Sequence, residues 1–165
     1  DLAIVNMPSR RTPLATRHVL DEEMMLAHRT AIDLGLPKMV PCARLADLDL
    51  VIPSRRHGLR RILDEVAAEA GITLNPRLEI DTLSAVCEVV ATTDLVTILP
   101  GIALQAMLAA GRIKARRLRA PTVVRSLAWV TNPRRAVSSA MSAVMEVISE
   151  DLQAAATSAS RLARR

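Results

Sequence analysis

The chain has 165 residues, 50% of them hydrophobic and 24% charged, with a formal net charge of +5. That composition suits one globular domain or two small lobes and excludes a disordered segment. Aromatic residues are nearly absent, one Trp (Trp129) against no Phe and no Tyr, which excludes the base-stacking platforms of single-strand nucleic-acid binders.

In chain order, residues 1–6 open on an apolar run, Asp1-Leu2-Ala3-Ile4-Val5, that reads as a strand. A buried strand starting so abruptly leads us to expect sequence upstream. Residues 48–52 are a second strand-length run ending at Pro53. Leu59, Ile62, Leu63, Val66, Ala67 and Ala70 then recur at helical spacing up to Gly71, which predicts an amphipathic helix with its stop signal. A short strand over 77–80 follows. Leu83, Val86, Cys87 and Val90 mark a second helix, with Asp81 or Thr82 placed to cap it. Residues 95–99 form a third strand closed by Pro100-Gly101, residues 102–110 a short helix with Gly111 at its C′ position, and residues 113–118 a strand alternating with basic side chains. Strands separated by helices of about ten residues predict crossover connections and a mainly parallel sheet. Residues 123–131 give a further strand with Leu127 and Trp129 on one face. A long helix is predicted from Pro133, with Asn132 as its N-cap, and the Ala-, Ser- and Arg-rich tail from Ala154 is expected to fray. The two ends of the chain together predict a second lobe, joined to the central one by crossings near residues 22–28 and 116–121, with a cleft between.

Other residue patterns narrow the function. Cys42 and Cys87 are far apart in apolar surroundings and form no metal spacing with the histidines, so buried free thiols in a reducing cytoplasm are expected, with no metal and no cofactor. No apolar run reaches the ~18 residues that span a membrane. No G-x-S-x-G elbow, phosphate loop or dinucleotide fingerprint is present, which argues against an enzyme. His18 and His28 fall near a crossing and read as surface histidines. The basic run Arg112, Lys114, Arg116, Arg117, Arg119 reads as the solvated face of a strand rather than a DNA contact.

The order of these landmarks resembles the effector-binding domain of LysR-type transcriptional regulators. Asp1-Leu2-Ala3-Ile4-Val5 followed by Val19-Leu20-Asp21-Glu22-Glu23-Met24-Met25-Leu26-Ala27 is similar to the middle of that domain, the second run being the first crossing between lobes. Leu50-Val51-Ile52-Pro53-Ser54-Arg55-Arg56-His57-Gly58-Leu59-Arg60-Arg61 resembles the family's strand, loop and helix start, above all in members related to nitrogen-assimilation control regulators. Ala70-Gly71-Ile72 and Ile98-Leu99-Pro100 match later landmarks, so the resemblance covers roughly residues 1–150. One departure is Thr92-Thr93-Asp94, where the family carries glycines, and this puts the local turn geometry in question.

The resemblance implies an α/β, two-lobed fold of the type 2 periplasmic-binding-protein kind, with lobe II complete at 23–119, lobe I partial at 1–22 and 120–153, and a flexible tail at 154–165. It implies a cytoplasmic sensor that binds a small, carboxylate-bearing or otherwise anionic effector in the inter-lobe cleft, pairs with itself as a dimer or tetramer, and touches DNA only through an N-terminal domain absent from this chain. In open α/β sheets ligands settle beyond the carboxyl ends of strands, at helix N-termini. Two such places follow: Ser54, Arg56, His57 and Gly58 after one strand, where family members place effector contacts, and Gly101 and Ile102 after the next. Ser54 has the bland alternative of a helix cap, and Arg55 and Arg56 that of solvated charges. Thr82 reads as a cap. A stand-alone solute-binding protein of the same fold is the alternative function.

Overall fold

The computed structural model describes residues 2–7 and 12–163. Its strands are β1 (Leu2–Asn6), β2 (Ala15–Arg29), β3 (Met39–Pro41), β4 (Val51–Ile52), β5 (Leu78–Glu79), β6 (Thr97–Pro100), β7 (Ile113–Arg119) and β8 (Val124–Thr131). Its helices are α1 (Gly58–Glu69), α2 (Leu83–Thr92), α3 (Gly101–Ala109) and α4 (Ser139–Leu162).

One strand organises the molecule. The first part of β2 pairs antiparallel with β8, which also pairs with β1, while its second part lies between β6 and β7, antiparallel to both. β2 therefore belongs to two sheets and carries the chain from one lobe into the other. β3 adds parallel to β7, β4 pairs parallel with β5, and Leu50 bridges to Val96 in parallel to tie β4 to the β6 side. The expected mainly parallel sheet is thus mixed, because β2 enters lobe II against the direction of β6.

Two cores follow. The larger gathers Leu26, Leu50, Ile52, Leu59, Leu63, Val86, Ile98 and Leu104, each almost wholly inaccessible. Burying such a side chain contributes about 1.5–3 kcal/mol. The smaller gathers Val19, Leu20, Leu127, Trp129 and Met145 where α4 covers the β1-β8-β2 sheet. Trp129 is the single Phe, Tyr or Trp side chain available to this core, and its Nε1–H donates to Ser149 Oγ at 3.0 Å.

Local chemistry explains where α1 stops. Ala70 caps it, Gly71 adopts φ 71°, and the Ile72 N–H reaches back to the Ala67 carbonyl at 2.9 Å. This αL termination is one that glycine adopts without a Cβ penalty. The glycine-free turn at Thr92-Thr93-Asp94 is closed by side chains: Thr93 Oγ1 donates to the Val89 carbonyl at 2.8 Å and accepts from the Leu95 N–H at 3.2 Å.

α4 differs from expectation at both ends. It starts at Ser139 with Ser138 as N-cap, whose Oγ accepts from the Met141 N–H at 3.2 Å. Asn132 instead holds a turn, its Oδ1 accepting from the Arg134 N–H at 2.9 Å. The helix runs past Ala154 to Leu162, and Ala159 is fully buried. Arg164 and Arg165 lie outside the described residues.

Candidate functional site

The loop between β4 and α1 carries Ser54, Arg56, His57 and Gly58. Ser54 donates twice to the Asp81 carboxylate, from its N–H at 2.8 Å and its Oγ at 3.0 Å. These two bonds hold the Asp81 carboxyl below the usual carboxylate range. His57, not Ser54, is the N-cap of α1, its Nδ1 accepting from the Leu59 N–H at 3.2 Å. Thr82 stands at the N-cap position of α2 without a side-chain bond. Arg55 and Arg56 are exposed beside a shallow cavity of about 590 Å³ walled by Asn75, Arg77 and Glu79. Behind it Arg60, only 2% exposed, binds Asp64 at 2.9 Å, Glu79 at 2.5 Å and the Pro53 carbonyl at 3.3 Å. Gly58 turns the other way: a Cβ placed there would lie 3.0 Å from Asn6 Nδ2, at the end of β1. The loop thus has one side in lobe II and one glycine at the lobe junction.

The second place, at the start of α3, is already filled by the chain itself. The Ile102 N–H donates to Glu22 Oε1 at 2.6 Å. Glu22 Oε2 accepts from Arg125 Nε at 2.9 Å and Nη2 at 2.7 Å. Glu22 and Arg125 face each other across the β2-β8 pairing, with side chains only 4% and 14% exposed. A carboxylate here is favoured by the helix N-terminus and by the guanidinium together. Gly101 sits beneath α4: a Cβ on it would lie 3.1 Å from Ala159 Cβ and 3.8 Å from Glu22 Oε1. A cavity of about 420 Å³ opens beside this cluster, between Glu22, Glu23, Met25 and Arg117 on one side and Thr157, Ser160 and Arg161 on the other. Glu23 and Arg117 are paired across β2 and β7.

A further cavity of about 430 Å³ lies where Asn6 and Met7 meet Arg61, Ile62 and Glu65 of α1 and Arg125 and Ser126 of β8. Asn6 Oδ1 is buried there with no hydrogen-bond partner among the described residues. The junction therefore brings together Gly58, Gly101 and Ile102 from the sequence-derived candidates, and adds Asn6, Glu22 and Arg125, which sequence reasoning missed. The available signal was Glu22, a charged residue inside the apolar crossing run 19–27. Ser54 and His57 are spent on holding their own loop.

Several of the remaining polar candidates have structural partners. His28 is buried, contrary to the surface reading, and burial pushes its pKa down, consistent with a neutral ring. His18 pairs with Asp21 at 2.9 Å on the surface. In the basic strand β7, Ile113, Ala115 and Leu118 are buried and Arg117 is held by Glu23, and just before it Arg112 is bidentate to Glu88 at 2.8 Å. Both cysteines are buried, donate to backbone carbonyls (Cys42 to Pro121, Cys87 to Ala103) and have their thiol pKa raised by desolvation. Among the described residues no group of three or more His, Cys, Asp or Glu side chains is placed to hold a metal ion, and no helix is long and apolar enough to cross a membrane.

Comparison with known proteins places this geometry. The regulatory domain of CcmR from Synechocystis PCC6803, solved in complex with 2-PG, superposes with TM-score 0.77 at 17% identity over 91% of this chain and 72% of that one. The regulatory domain of MetR from N. meningitidis, a LysR family regulator, gives 0.72 at 17% identity over 91% of this chain and 69% of that one. A cysteine mutant of OxyR from Corynebacterium glutamicum gives 0.72 at 20% identity over 99% of this chain, which spans 50% of the OxyR chain. The two-lobed periplasmic-binding-protein-like fold is common to these domains. A search of curated protein sequences gave no match. The LysR substrate binding domain family matches residues 1–153, and the chain belongs to that family.

Proposed function

We propose that this domain senses a small anionic metabolite bound at the lobe junction, and that in a LysR-type regulator the resulting change of lobe arrangement is passed to a DNA-binding part. It acts, on this reading, in the cytoplasm and as part of a homo-oligomer. The observation that carries the reading is the donor set already serving a carboxylate: the Ile102 N–H and the Arg125 guanidinium, both turned on Glu22. An anionic effector exchanges with Glu22 for these donors, and Arg125 also lines the neighbouring cavity that holds Asn6. Arg56 faces the separate cavity walled by Asn75, Arg77 and Glu79 and is not part of this contact, and Ser54 and His57 act by fixing the loop. The CcmR domain was solved in complex with 2-PG, a ligand of that protein.

A ligand acts only through differential affinity for two lobe arrangements. Exchange of Glu22 supplies that difference, because it changes what crosses from β2 to α3. The test is a thermal-shift screen of the chain against small carboxylates, inorganic phosphate and amino acids, repeated on a Glu22→Gln/Arg125→Met double variant and on Arg56→Ala. A ligand present at about 100 times its Kd stabilises by about 2.7 kcal/mol. The reading expects at least one anion to raise Tm, with the rise lost in the double variant and retained in Arg56→Ala, which alters the separate cavity. No rise with any anion on a folded chain contradicts it.

A further inference from the structure

The family match ends at residue 153, but α4 continues to Leu162. Those added turns do not project into solvent. Ala156 packs against the core that holds Trp129, Ala163 just beyond the helix packs against the core that holds Ile98, and Ala159 between them is wholly buried. The contact is made possible by two small residues, since even a methyl group on Gly101 would lie 3.1 Å from Ala159 Cβ. The same turns place Thr157, Ser160 and Arg161 over the cavity beside Glu22.

From this arrangement we propose that residues 156–163 are a latch, which docks lobe I on the first turn of α3, sets the angle between the two cores, and must lift off for the junction to open. Its strength is suited to release. Alanine and serine bring little apolar area to the contact, whereas the cores on either side are built from Leu, Ile, Val and Met. The latch therefore belongs to the low-stability end of the molecule and opens while both cores stay folded. It goes beyond the sensor reading and does not depend on which effector binds.

Hydrogen exchange on the full chain, read by mass spectrometry, tests this with Ala159→Leu as a wedge and Ala154→Leu, at an exposed position of the same helix, as control. In the native chain, amides of 156–162 are expected to be protected together with the first turn of α3. In Ala159→Leu both segments should exchange at least about tenfold faster, with β2, β6 and the Met145–Leu152 part of α4 unchanged. Ala154→Leu should match the native chain. Gly101→Ala supplies a milder wedge from the lobe II side and should reproduce the effect in weaker form. Native-like rates in Ala159→Leu overturn the proposal, and so does free exchange of these turns in the native chain. A uniform rise across the molecule in both wedge variants also overturns it, since the contact would then be part of one global core.

Discussion

Glu22 and Arg125 meet across the β2-β8 pairing, 103 positions apart in sequence, where the chain passes between lobes. Because both are largely buried, removing one leaves an uncompensated charge. Arg125→Met is expected to destabilise by about 3–5 kcal/mol, whereas Glu22→Gln/Arg125→Met should recover most of that loss. Urea denaturation of the two variants beside the native chain measures the difference; equal losses would show that the pair is not coupled.

Asp81 gives a pH dependence with a definite sign. Its carboxyl is held below the usual range by the Ser54 bonds, so the stability it contributes is complete above the ordinary carboxylate pKa and is lost as pH falls through the lowered one. Ser54→Ala should move the Asp81 pKa upward, as read by carboxyl carbon NMR, and flatten the fall in stability on acidification. An unchanged Asp81 titration would contradict the assignment.

The overall plan was readable where the physics is local. Leu59, Ile62, Leu63 and Val66 with Gly71 after them announce α1 through spacing and a stop signal, and the Pro100-Gly101 turn announces the start of α3. What escaped was non-local. Thr16, Arg17, His18 and Asp21 break the apolar run, so the full 15-residue length of β2 was hidden. Glu22 shows in sequence only as a charge inside the apolar run 19–27, because its partner Arg125 lies far along the chain. The Ala- and Ser-rich end of α4 looked like a fraying tail, although its smallness is what lets Ala159 approach Gly101. Of the site, the glycines at both strand-to-helix turns were visible, while Asn6 and Arg125 depend on how the lobes meet.

Trp129 is the single aromatic residue, so its fluorescence reports the smaller core alone. Ser149→Ala removes the acceptor of its indole N–H and is expected to cost about 1 kcal/mol. The shift should appear in the fluorescence-detected unfolding midpoint. No shift would mean that water replaces the hydroxyl without loss.

The thiols of Cys42 and Cys87 are buried, and desolvation raises their pKa values. Thiols held protonated react slowly. A thiol reagent should label neither Cys42 nor Cys87 in the folded chain and both in denaturant. Rapid labelling of either in the native state would contradict their burial.

Whether an anion binds at the lobe junction is read directly by an NMR titration with the best anion from the thermal screen, following assigned backbone amides. The account predicts that the Ile102 N–H shifts most, with Gly58 and Glu22 moving along the same saturation curve. Shifts confined to the cavity of Arg55, Arg56 and Asn75, with Ile102 unmoved, would contradict it.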